Sequence, residues 1–129
     1  MQANFPAIVT VLALLHYIGT GIKVGRMRAR HAVQAPSVSG PPEFERAFRV
    51  QQNTLEQLVL FIPALWLFVV FASPFWGGVL GIVWVGARMF YAVSYYRDAA
   101  RRGPGFIVAF ACSLVLLLGA LVGALANLG

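Results

Sequence analysis

The sequence predicts an all-α protein, a membrane-spanning bundle of four helices, and three observations predict it. Of the 129 residues, 60% are hydrophobic and only 11% are charged, with a mean hydropathy of +0.78. A water-soluble domain of this size needs far more charge to cover its surface. The apolar residues fall into four runs, each near or above the roughly 20 residues that cross a hydrocarbon core. Finally, every Lys, Arg, Asp and Glu lies within residues 23–56 or 88–102. Hydropathy sets the number of spans, charge sets their direction, and the two agree.

The first helix, α1, is expected over residues 5–30, with Asn4 as N-cap and Pro6 tolerated in the first turn. No basic residue precedes its apolar run, and the run ends in Lys23 and Arg26 instead of a small-residue cleavage site. It reads as a retained span, not a signal peptide. The stretch from Ala35 to Pro42 (APSVSGPP) is a loop. A second helix, α2, is expected over residues 43–72, where Glu43 and Glu45 suit the positive helix terminus. Pro63 falls inside it and should kink it. Ser73-Pro74 ends it, and α3 is expected over residues 75–102. Gly103-Pro104-Gly105 reads as a stop and turn before α4, residues 106–128, which carries no charge. Glycines four apart (Gly21 and Gly25, Gly77 and Gly81, Gly119 and Gly123) would permit close helix contact.

Four spans place the α1–α2 and α3–α4 connections on one side. The positive-inside rule assigns that side to the cytoplasm and both termini to the opposite side. The net charge of +6 is then explained by topology, so nucleic-acid binding is not expected. The single cysteine, Cys112, excludes an intrachain disulfide and reads as a small core filler. His16 and His31 have no partners at ligand spacing, so no metal is expected. The compact chain points to a bacterial inner membrane.

Some polar residues lie too deep to be flank. Arg49, Asn53 and Glu56 follow i, i+4, i+7 on α2, and Arg88, Tyr91 and Tyr95 follow i, i+3, i+7 on α3. Each set shares one helix face. Exposing Glu56 or Arg88 to lipid costs a few kcal/mol or more, so both stripes should face protein. The bland reading is an ion-pair network of Arg49, Glu56 and Arg88 that only fixes packing; for Tyr96 it is an interfacial aromatic belt. The functional reading is a site for a small zwitterion with more than one carboxylate. Arg grips carboxylates in bidentate fashion, Glu pairs with an ammonium, and an apolar co-substrate arrives from lipid.

The run from Glu45 to Glu56 (ERAFRVQQNTLE) resembles the α2 signature of the MAPEG family, membrane-associated proteins in eicosanoid and glutathione metabolism. The preceding Gly40-Pro41-Pro42-Glu43-Phe44 also matches, as does the segment from Arg88 to Arg102 with its tyrosines four apart. The resemblance covers nearly the whole chain and implies a single domain over residues 1–129. It implies four-helix subunits assembled as homotrimers, with glutathione as co-substrate between neighbouring subunits. Matched position by position, Arg49, Gln51, Asn53 and Glu56 fall on glutathione-binding positions of α2. Tyr91 and Tyr95 fall on the α3 tyrosines, Arg28 on a further arginine at the end of α1, and Arg102 on the arginine that activates the thiol. The chain departs from the leukotriene synthase branch at Gln57, where that branch has a tyrosine, and at Pro63, which comes later.

The role of such an arginine follows from charge. A free thiol with a pKa of about 8.5 is mostly protonated at neutral pH, and the thiolate is the nucleophile. A guanidinium stabilises the thiolate and cannot itself take the proton. Lowering the pKa by about two units corresponds to roughly 2.7 kcal/mol. The expected activity is therefore glutathione transfer to, or peroxidase action on, a hydrophobic electrophile. Arg101 adjoins Arg102 and is a second candidate; as a bland alternative it is a snorkelling flank residue. Two other classes fit the same fold, a non-catalytic lipid- or glutathione-binding scaffold and a small transporter. The transporter is disfavoured because the uncharged half of every span offers no polar path.

Overall fold

The computed structural model describes residues 2–128. Its four long helices are α1 (Asn4–His31), α2 (Pro42–Phe71), α3 (Pro74–Arg97) and α4 (Gly103–Ala126). All are long and apolar enough to cross a membrane. α1 and α4 each pack against both α2 and α3, so the α2–α3 pair separates them. Large apolar side chains such as Ile8, Val59, Phe75 and Leu118 point outward. In water that surface would be an aggregation liability, whereas in a bilayer it is the solvent contact.

The helix ends differ from the sequence expectation in three places. Ala3, not Asn4, precedes α1, and no side chain caps it. The third helix stops at Arg97, not residue 102: Asp98 turns extended and accepts from the Ala100 N–H (3.0 Å), which starts a single 3₁₀ turn over Ala99–Arg101. The fourth begins at Gly103 rather than after the Gly-Pro-Gly stretch, because Pro104 in a first turn costs no backbone bond. At α3 the cap acts as expected of its residue type. Ser73 accepts from the Trp76 N–H (3.2 Å) at the start of α3. α2 runs unbroken through Pro63.

Packing is layered along the bundle. In the uncharged half, Phe61 and Trp84 stack with ring centres 4.0 Å apart among Val9, Leu65 and Leu116, all fully buried. Cys112 belongs to this apolar cluster. Gly81 seats Val9 and Gly123 seats the Phe71 carbonyl, where a Cβ would collide, while a Cβ at Gly25 would meet open space. The expected close contacts thus form at Gly81 and Gly123 and not at Gly25. At the charged end, His31 Nε2 donates to Glu43 Oε1 (2.7 Å) and Arg46 Nε to the Tyr96 carbonyl (2.9 Å). The Lys23 ammonium lies 5.0 Å above the Tyr96 ring. Tyr96 is therefore half-buried packing between helices, not an outward belt residue.

Candidate functional site

The two polar stripes meet. α2 brings Arg49, Gln52, Asn53 and Glu56 to one cleft, α3 brings Tyr91 and Tyr95, and the residue after the 3₁₀ turn brings Arg102. The break at Asp98 makes this possible. Had α3 continued, Arg102 would share the tyrosines' face, at about 100° per residue, but would stand about 10 Å beyond Tyr95 along the helix axis. The turn folds it back, so that its guanidinium lies 5.7 Å from the Tyr95 ring centre and Nη1 donates to the Ala99 carbonyl (2.6 Å). One of five donors is thereby anchored, which aims the rest into the cleft.

Beneath the cleft lies Arg88, fully buried. Its Nη2 donates to Thr54 Oγ1 (2.9 Å), whose hydroxyl donates onward to the Val50 carbonyl (2.7 Å). The guanidinium lies 4.0 Å from the Tyr91 ring centre, a contact strengthened by desolvation. Tyr91 meets Tyr95 edge to face at 5.7 Å, so the buried cation sets the tyrosine pair. The alternative of a packing ion-pair network does not form: among the described residues no salt bridge involves Arg49, Glu56 or Arg88. Arg49 and Glu56 instead open onto the cleft. Asn53 Oδ1 is buried there without a hydrogen-bond partner among the described residues, a position that an incoming donor would satisfy.

Two predicted site residues lie elsewhere. Arg28 donates from Nη1 to the Ser37 carbonyl (2.8 Å) and covers the Phe44 ring at 5.0 Å. Gln51 points at Gly21 of α1. Neither lines the cleft. Gln52 does, and its signal was available: it sits i+3 from Arg49 and four before Glu56, on the edge of the same stripe. Arg101 faces away, 3.9 Å from Asp98. Gln57 is half-buried, with Oε1 lacking a partner among the described residues, and does not line the cleft.

The cleft has a volume of about 180 Å³, below the roughly 300–1,000 Å³ usual for ligand sites. Its two cations and one carboxylate complement a ligand with two carboxylates and an ammonium. Further along the α2–α4 face, Leu67, Phe71, Leu117 and Leu121 line an apolar hollow of about 340 Å³. Leu67 follows Glu56 by eleven residues, hence on nearly the same face of α2 and about 16 Å deeper.

An all-helical membrane bundle with a polar, arginine-lined cleft at its charged end defines a class, and comparison with known proteins names it. The profile of the MAPEG family matches residues 6–122, and the chain belongs to that family. It is 44% identical over 121 residues to an uncharacterized protein of Synechocystis sp., covering 94% of this chain and 88% of that one. It is 35% identical over 116 residues to human microsomal glutathione S-transferase 2, covering 89% and 79%. It is 37% identical over 116 residues to leukotriene C4 synthase of Cavia porcellus, covering 89% and 77%.

Proposed function

We propose that the protein is a glutathione-dependent membrane transferase or peroxidase that presents the glutathione thiolate to a hydrophobic electrophile. The observation that carries this reading is the cleft itself, where Arg49, Asn53, Glu56, Tyr91, Tyr95 and Arg102 converge from three elements. Of the groups of glutathione, one carboxylate matches Arg49 and the ammonium matches Glu56, which leaves Arg102 for the sulfur. Asn53 Oδ1 takes an amide N–H, and the tyrosines hold the peptide by hydroxyl hydrogen bonds. Arg102 stabilises the thiolate, with the thiol proton lost to water. The sulfur then attacks an electrophilic carbon, forming a C–S bond as a leaving group departs with its electron pair (or as an epoxide or activated double bond opens and takes a proton), or attacks a peroxide oxygen, breaking the O–O bond to give an alcohol and a sulfenic acid that a second glutathione converts to the disulfide and water. The electrophile's apolar tail lies along the hollow lined by Leu67 and Leu121, out of water.

The assembly is a homotrimer in this reading. A cleft of about 180 Å³ is small for a tripeptide, while Arg28 and Gln51 lie outside it, on the side of α2 that meets α1 and the α1–α2 connection. A neighbouring chain supplies them as the second wall. The charged end faces the cytoplasm of a bacterial inner membrane, by charge bias.

The test is conjugation of glutathione to chlorodinitrobenzene by the detergent-purified protein. Activity should rise with pH and level off above roughly 6.5, about two units below a free thiol. Arg102→Ala should move that rise back toward about 8.5. A folded protein with no activity above the Arg102→Ala background refutes the enzyme. If it still binds glutathione, the scaffold reading replaces it.

A further inference from the structure

A second basic feature lies outside the cleft, on a separate face of α3. Arg97 and Arg101 flank the mouth of a hollow of about 440 Å³ between α3 and α4. Phe90 and Pro104 line both this hollow and a wholly apolar one of about 310 Å³ that continues along the helices past Gly86 to Val83. The shared walls make one groove. From Arg97 to Val83 it covers 14 residues of α3, about 21 Å, against a half-bilayer hydrocarbon depth of about 15 Å. It therefore runs from the head-group level through one leaflet. Two glycines shape it. Gly105 has no room for a Cβ against the Tyr91 backbone and draws α3 and α4 together at the groove's edge, whereas a Cβ at Gly86 would enter open space.

We infer that this groove binds one anionic phospholipid, its phosphate on Arg97 and Arg101 and one acyl chain along Phe90 and Gly86. Charge complementarity selects the occupant. Any lipid fills an apolar groove, but two guanidinium groups at its polar end favour a net negative head group. Asp98 is the one nearby carboxylate. It reaches Arg101 only through Nε, at 3.9 Å, with both side chains more than half exposed, so the contact is weak and leaves the guanidinium fork for phosphate. Its other oxygen is held by the Ala100 N–H. The groove shares no lining residue with the glutathione cleft, so this inference does not depend on the proposed activity.

Native mass spectrometry of the detergent-purified protein, offered equal phosphatidylglycerol and phosphatidylcholine with identical acyl chains, tests it. The wild type should retain phosphatidylglycerol preferentially, by on the order of tenfold or more. The double variant Arg97→Ala/Arg101→Ala should bind the two lipids equally. Gly86→Leu, whose Cβ would meet open space in the groove, should lower phosphatidylglycerol retention while the circular dichroism spectrum stays helical. Equal retention by the wild type, a preference that survives the double variant, or displacement of the lipid by equimolar inorganic phosphate would each overturn the assignment.

Discussion

Arg88 shows how one buried side chain organises a site it does not line. A guanidinium at mid-helix in a membrane bundle is costly unless its donors are used. Thr54 takes one of them and the Tyr91 face part of the charge, while Nε and Nη1 are buried without a hydrogen-bond partner among the described residues. Thr54→Val should therefore leave an unpaired buried donor and destabilise the protein by about 1–3 kcal/mol, read as a lower Tm in detergent. Glu56, by contrast, opens on the cleft and has no partner within salt-bridge distance among the described residues. Glu56→Gln should leave Tm nearly unchanged and weaken glutathione binding by roughly tenfold or more, as loss of a charge-assisted contact does; calorimetric titration measures it. At this scale the sequence was informative. Helical spacing alone put Arg49, Asn53 and Glu56 on one face and Arg88, Tyr91 and Tyr95 on another. It did not show that Arg88 lies below the site while Arg49 lies in it, because that depends on how the two helices are rotated against each other.

The helices were legible to within a few residues wherever a breaker was unambiguous. The exception is the segment from Arg97 to Gly103. Its charges read as the end of α3, but the Asp98 side chain competes for the Ala100 N–H and bends the chain into a 3₁₀ turn. That local competition, common for Asp, ends α3 short of Arg102 and draws this residue back along the axis to the cleft, while Arg101 stays outside it. Asp98→Ala should therefore lower turnover through misplacement of Arg102 while glutathione still binds. The glycine spacing was equally incomplete. All three pairs look alike in sequence, but only the packed structure distinguishes a seat from open space. Gly123→Ala should destabilise by about 1–3 kcal/mol through a backbone clash, whereas Gly25→Ala should be neutral or stabilising by up to about 1 kcal/mol. Thermal denaturation of the pair checks both.

For the molecule as a whole, hydropathy and charge bias predicted the four-span arrangement, and the family resemblance supplied the proposal of what the cleft holds. The placement of Arg28 and Gln51 outside the cleft was not legible, because spacing gives a residue's helix face and not which element that face meets. If neighbours complete each other's sites, co-purified chains carrying Arg28→Ala/Gln51→Ala and Arg49→Ala/Glu56→Ala should recover activity above the sum of the two homo-oligomers. The most direct measurement for the whole account is the ultraviolet difference absorbance of the glutathione thiolate on titration into the folded protein at neutral pH. A saturable thiolate signal is predicted for the wild type and for Arg101→Ala, and its loss for Arg102→Ala. A signal of the same size in Arg102→Ala, or none in the wild type, would contradict it.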